Sequence, residues 1–210
     1  MKGKWIGEKM QKTGRLYIVM GKSASGKDTI FQRLKDKKEL GLVTVVPYTT
    51  RPIRVSEKEG ETYHFVNEKQ YMEMKEQGHV IEARTYHTVH GDWTYFTADD
   101  GTILKEAENY IMIGTLETYE QICRYFGKSR VEPIYIEVED GERLSRAVER
   151  ERMQKEPKYK ELCRRFIADQ EDFSEEKLQR AGIDHRFYNN NLEQCIEDII
   201  RYCFPVPAQS

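Results

Sequence analysis

Cysteine is scarce in this 210-residue chain. The four present, Cys123, Cys163, Cys195 and Cys203, show neither C-x-x-C spacing nor a histidine at zinc-finger distance. A disulfide framework and a structural zinc site are therefore not expected, and the thiols read as free in a reducing compartment. No apolar run approaches the length that spans a bilayer. The first fifteen residues carry charges but no apolar core, so no secretory leader is expected. An excess of charge of one sign is also lacking. Thirty-four basic against 36 acidic residues leave a net charge of −2, which demands neither a nucleic acid nor an anionic membrane. Internal repeats and low-complexity linkers are missing too. These absences lead to the expectation of a cytoplasmic protein that binds neither nucleic acid nor membrane, and they leave monomer and homodimer both open.

What is there suits one α/β domain with a mobile subdomain. Hydrophobic residues make up 38% of the chain and charged residues 33%. Leu16–Met20 is a short apolar run ended by Gly21 and reads as a buried strand. A helical pattern follows from about Lys27 to Lys38, then a strand over Leu42–Val46. Between Thr49 and Thr97 short alternating pieces surround one helix, Glu68–Gln77, whose start has capping-box spacing at Asn67 and Gln70. This predicts a small antiparallel insertion. The α/β rhythm then resumes with a strand at Tyr110–Ile113, a helix at Leu116–Phe126 and a strand at Pro133–Val138. A long basic helical region runs on to about Arg180, with a last strand at Arg186–Tyr188 and a last helix at Leu192–Tyr202. Alternating strands and helices predict a parallel sheet with helices on both faces.

The sharpest motif is Gly21-Lys22-Ser23-Ala24-Ser25-Gly26-Lys27-Asp28-Thr29. It follows a predicted strand and opens a predicted helix, the setting a phosphate-binding P-loop requires. Gly21 and Gly26 free the backbone so that successive N–H groups can point at phosphate oxygens, and the helix start adds the positive end of its dipole. Lys27 would neutralise the β- and γ-phosphates of a bound ATP. The usual motif follows its lysine with a Ser or Thr whose hydroxyl binds Mg2+. Here Asp28 stands there, a hard oxygen ligand for the same ion, with Thr29 one residue later.

The stretch from Tyr48 to Val66 holds Arg51 and Arg54, two guanidiniums able to clamp a phosphate, with the Tyr63 hydroxyl beyond them. Glu82 ends an apolar strand segment and can accept both N1–H and N2–H of a guanine. Tyr95 and Thr97 add hydroxyls on the next strand. The P-loop, the Thr-Thr-Arg-x-x-Arg segment, the Gly-x-x-Tyr-x-Phe element and the strand-borne glutamate, in this order and spacing, resemble guanylate kinase over roughly Arg15 to Tyr202. The resemblance implies the P-loop nucleoside monophosphate kinase fold, with a single domain over 15–205. Its core would cover 15–50, 98–140 and 166–205, its acceptor-binding insertion about 51–97 and its lid about 141–165. It implies ATP-dependent phosphorylation of GMP with Mg2+. Arg51, Arg54, Tyr63, Glu82, Tyr95 and Thr97 would hold the acceptor.

Between Arg143 and Arg165 the chain carries Arg146, Arg150, Arg152, Lys155, Lys158, Lys160 and Arg164. Taken alone this is a solvated helical face. Beside a P-loop, Arg150 and Arg165 resemble the family's catalytic lid arginines, with Arg146 on the ATP side. Asn189 resembles the adenine-side asparagine. Three departures stand out: Asp28, Pro47 where the family has a serine, and Gly114-Thr115-Leu116-Glu117 where it has an Asp-x-Asp run. The first and third also occur in ribose-bisphosphate kinases, so a ribosyl phosphate is the alternative acceptor. A catalytically inactive binding module is a further alternative, although such modules typically lose the lysine and arginines kept here. His87 and His90 could form a local metal or acid/base site but lack companions at ligand spacing. Trp93, Tyr95 and Phe96 could stack a base or pack the insertion.

Overall fold

The computed structural model describes residues 14–54, 57–88, 91–99, 101, 103–104 and 108–205. Two sheets organise them. The larger has five strands, in the order β2 (Leu42–Thr44), β7 (Asn109–Ile113), β1 (Leu16–Met20), β8 (Val131–Glu137) and β9 (Phe187–Tyr188). All its pairings are parallel. Parallel neighbours need crossovers, which the helices supply. They are α1 (Lys27–Lys35), α3 (Leu116–Phe126), α4 (Asp140–Arg152), α5 (Tyr159–Asp172), α6 (Glu175–Ala181) and α7 (Leu192–Cys203).

β1 shows why both faces are covered. Successive side chains of a strand point to opposite sides. Leu16, Ile18 and Met20 pack with Leu116, Tyr119 and Ile122 of α3, with Phe173 and with Leu178 of α6. Tyr17 and Val19 pack on the other side with Ile30 and Leu34 of α1 and with Cys195, Ile196 and Ile199 of α7. All five β1 residues are buried, which explains the uninterrupted apolar run.

The smaller sheet runs β4 (His64–Phe65), β3 (Tyr48–Thr49), β6 (Gly91–Ala98) and β5 (Val80–Thr88), with α2 (Glu68–Glu76) between β4 and β5 in the chain. It corrects the expectation of an antiparallel insertion at one place, because β3 and β4 pair in parallel. The intervening 50–63 segment is long enough to carry the chain back to the same end. The expected capping box is formed: Asn67 accepts from the Gln70 N–H and Gln70 accepts from the Asn67 N–H.

The basic region is three helices rather than one. Pro157 has no N–H to donate and disfavours helix at the residue before it. After α4, the buried Glu151 carboxylate accepts the Lys158 N–H at 2.9 Å, just ahead of α5. All four cysteines are free thiols. Among the described residues no helix is long and apolar enough to cross a membrane.

Candidate active site

The P-loop joins β1 to α1, at the C-terminal edge of the parallel sheet, where strand order places β7 on one side of β1 and β8 on the other. Ligands of open α/β sheets bind at such a switch point. The loop needs its glycines. Gly26 has φ +83°, and a Cβ there would lie 2.4 Å from Nδ2 of Asn189. At Gly21 a Cβ would lie 2.5 Å from the Ile136 carbonyl oxygen. Ala24 adopts the left-handed conformation at φ +62° with a side chain present, a strain of about 1 kcal/mol. Ser25 is fully buried.

A cleft of about 750 Å³ opens between this loop and the smaller sheet. Ser23 and Lys27 line it from the loop, Tyr63, Glu82, Tyr95 and Thr97 from the smaller sheet, and Arg165 from α5. Seven residues singled out from the sequence therefore share one cavity of the size that takes a small ligand. Lys22 bonds instead to Gln170 at 2.9 Å and stands 3.6 Å from Asp140.

Glu82 is 4% exposed. Thr97 donates to its Oε1 at 2.8 Å, while its Oε2 has no hydrogen-bond partner. Burial raises the Glu82 pKa above the usual carboxylate value of 4.5, against the opposing pull of the Thr97 hydrogen bond and of Arg84. Tyr63 and Tyr95 meet edge-on at 5.6 Å, and burial raises the Tyr63 hydroxyl pKa.

The arginine clamp is not open. Arg51 is 3% exposed and makes two bonds to Glu57, at 2.7 and 2.5 Å, and one to the Pro52 carbonyl. Its guanidinium also lies 5.3 Å from the ring centre of Tyr63 and 5.4 Å from that of Phe65. The Arg54 N–H donates to the same Glu57, and the Arg54 side chain is exposed. A buried guanidinium needs an anion, and Glu57 supplies it. The Arg51 hydrogen bonds hold the Glu57 pKa down at about 2.

Asn189 is buried rather than open to a base: its amide donates to the Ser25 carbonyl at 2.8 Å, bracing the P-loop from behind. Arg146 donates to the Asn189 carbonyl and pairs with Glu142. Arg150 borders a narrow crevice with Ser23, Arg143 and Arg165. Arg165 is 39% exposed and 3.7 Å from both Glu151 and Glu161. Asp28 has a 77% exposed side chain 3.6 Å from the Lys27 ammonium, and Thr29 is exposed as well. Among the described residues no three acidic, histidine or cysteine side chains gather as a metal cage. Mg2+ bound to nucleotide phosphates needs only one or two carboxylates, so Asp28 fits it. His87 pairs with Asp92 on the exposed hairpin, and His90 lies outside the described residues.

Three residues at this site were not singled out from the sequence. Arg143 is 1% exposed and donates to the Ser23 carbonyl at 2.9 Å. Asp169 accepts from the Ser23 N–H. Arg84 reaches the cleft from β5. Two were within reach of simple spacing: Arg84 is two residues from Glu82 on a strand, and Asp169 four from Arg165 on a helix, so each shares a face with a residue already chosen.

A parallel sheet with a P-loop at its switch point, facing a small acceptor-side sheet across one cleft, is the architecture of the P-loop nucleoside monophosphate kinases. A family model described as guanylate kinase matches residues 13–203. A guanylate kinase of Porphyromonas gingivalis is 29% identical over 188 residues, covering 88% of this chain and 94% of that one. One from Legionella pneumophila is 41% identical over 71 residues, a third of each chain. The crystal structure of guanylate kinase from Anaplasma phagocytophilum aligns with a TM-score of 0.62 at 19% identity, covering 90% of this chain and 84% of that one. The chain belongs to the guanylate kinase family.

Proposed function

We propose that this protein transfers the γ-phosphoryl group of ATP to GMP. The observation that carries the reading is the buried Glu82, whose unpartnered Oε2 belongs to the same cleft as the P-loop lysine. A buried carboxylate with an unsatisfied oxygen at a ligand-sized cleft calls for a ligand with N–H groups to give, and guanine offers two side by side. Membership of the guanylate kinase family supports the same acceptor.

Phosphoryl transfer of this kind needs positive charge and alignment rather than a protein nucleophile. Lys27 and the loop N–H groups would hold the β- and γ-phosphates, and Arg165 would face the transferred group, with Arg150 beside it. Arg51 and Arg54, with Tyr63, would take the acceptor phosphate once it displaces Glu57. Asp28 would hold Mg2+, which neutralises phosphate charge when bound. The test is a coupled assay with ATP and a panel of GMP, dGMP, AMP, other nucleoside monophosphates and ribosyl phosphates. Turnover highest with GMP supports the reading. Turnover only with a ribosyl phosphate replaces the acceptor, and no turnover with any member favours a binding module.

A further inference from the structure

Glu82 is not the only unsatisfied group in the acceptor cleft. Arg84 lies two residues along β5, so both side chains leave the same face of the strand. Its Nη1 donates to the Thr115 hydroxyl at 3.0 Å, anchoring the guanidinium at the N-cap of α3. Its Nε is buried with no hydrogen-bond partner and stands 3.6 Å from the equally unpartnered Oε2 of Glu82. The two atoms thus form an ion pair too long for a hydrogen bond, an acceptor beside a donor in one pocket. Leaving the hydrogen-bonding capacity of both buried atoms unmet is costly.

The neighbouring groups cannot complete the recognition alone. The single proton of the Thr97 hydroxyl is spent on Glu82 Oε1. Where β7 enters the cleft, Met112, Ile113 and Gly114 bring neither charge nor a side-chain donor. Thr118 also brings a hydroxyl to the cleft, and the Arg84 guanidinium is the charged donor next to the carboxylate. Tyr63, Tyr86, Trp93, Tyr95 and Phe96 line the same cleft, walls suited to a flat aromatic ring.

We propose that Arg84 is a specificity-determining residue that donates to the O6 carbonyl of a 6-oxopurine nucleotide while Glu82 accepts from the adjoining ring N–H. The assignment rests on the GMP reading above and deepens it. Adenine puts an amino group where O6 would be and no proton on N1. It therefore presents a donor to the guanidinium and an acceptor to the carboxylate, the reverse of what the pair offers. Sites built around hydrogen bonds reject such mismatches strongly.

The experiment measures Michaelis constants for GMP, IMP, AMP and the 6-thio analogue of GMP, in the wild type, Arg84→Met and Arg84→Gln. The thio analogue keeps both N–H groups for Glu82 but replaces O6 with sulfur, a weak acceptor. Arg84→Met is expected to raise the constants for GMP and IMP about tenfold to a hundredfold, the usual effect of losing a charge-assisted hydrogen bond. The thio analogue and ATP should change by about twofold or less, and discrimination against AMP should shrink. A merely structural role would weaken GMP and its thio analogue alike, and that result overturns the proposal. So does an unchanged GMP constant. If Arg84→Met does not fold, the GMP-to-thio ratio in Arg84→Gln decides, since the neutral amide is a weaker and shorter donor. A ratio equal to that of the wild type overturns the assignment. Wild-type turnover of ribosyl phosphates and of no purine nucleotide instead overturns the underlying GMP reading.

Discussion

The Asp169 carboxylate accepts the backbone N–H of Ser23 at 2.7 Å, so a side chain of α5 holds one of the loop groups that phosphates compete for. The grip is two-sided, because Arg143 donates to the carbonyl of the same Ser23 and stands 3.5 Å from Asp169. Asp169→Asn keeps an acceptor at this spot but removes its negative charge. ATP binding should tighten by about threefold to tenfold, the scale expected for removing one partly screened repulsion. Calorimetric titration with ATP checks this. Weaker binding would mean that the carboxylate organises the loop more than it competes with the nucleotide.

Lys27→Ala should lower turnover by about two to three orders of magnitude while leaving the fold intact, because it removes a fixed charge on the transferring group. The Lys27 side chain is 22% exposed and its only ion pair among the described residues is the neighbouring Asp28, so little packing is lost. Near-wild-type turnover in a folded variant would rule out the P-loop mechanism.

Arg51 and Arg54 should separate cleanly. Arg54 is exposed, and Arg54→Ala should raise the acceptor Michaelis constant by about tenfold with the melting temperature unchanged. Arg51→Ala strips a buried guanidinium from Glu57 and from two aromatic rings. It should cost about 3 kcal/mol of stability as well, the low end for breaking a buried pair. Denaturant titration of both variants tests the contrast. Equal stability in the two would show that the Arg51–Glu57 pair is energetically idle.

Glu82 works against folding where it is charged. Its folded pKa lies above the unfolded value of 4.5 because burial disfavours the carboxylate. The protonated form is thus favoured by the fold, and stability is lost as pH rises through the folded value. Glu82→Gln should therefore raise the melting temperature of the ligand-free protein at neutral pH, with the gain fading below about pH 4.5. The same change should weaken GMP, since an amide must present a donor to one guanine N–H. Melting curves at pH 4 and pH 7.5 read the first effect and GMP kinetics the second. A variant less stable than the wild type at pH 7.5 would refute the cost assigned to the buried charge.

Asp28→Ala should shift the Mg2+ requirement to higher concentration, and Asp28→Ser should restore part of it. Both carboxylate and hydroxyl are hard oxygen ligands, whereas a methyl group is none. The measurement is rate against free Mg2+ at saturating ATP. Unchanged curves would reduce Asp28 to a first-turn residue favoured by the helix dipole.

Much of this molecule was legible in the sequence because local physics sufficed. The β1 run, the P-loop and α1 are contiguous, and α3 starts and stops at Leu116 and Phe126 as its apolar pattern predicts. The Asn67–Gln70 capping box is equally local. Glu82, Thr97, Tyr63 and Lys27 were each chosen by residue type and order, and the fold brings them to one cleft. What escaped depends on pairings between distant residues or on burial. Asp169 meets a loop 146 positions earlier. Arg51 and Arg54 read as an open clamp because nothing in the spacing says that Glu57 turns inward to neutralise a guanidinium only 3% exposed. Asn189 was placed beside the adenine by resemblance alone, and no local signal shows that its amide donates to the Ser25 carbonyl.

That last bond makes the phosphate loop depend on a distant part of the chain. The phosphate loop occupies residues 21–26, yet the side chain that pins it lies 164 positions later than Ser25. A nascent or truncated chain ending before Asn189 carries the full loop sequence without its brace. It also lacks α7, whose Ile196 and Ile199 pack with α1 residues Ile30 and Leu34 behind the loop. Removing the segment from Asn189 through α7 is therefore expected to weaken ATP binding, although the loop's own sequence stays untouched.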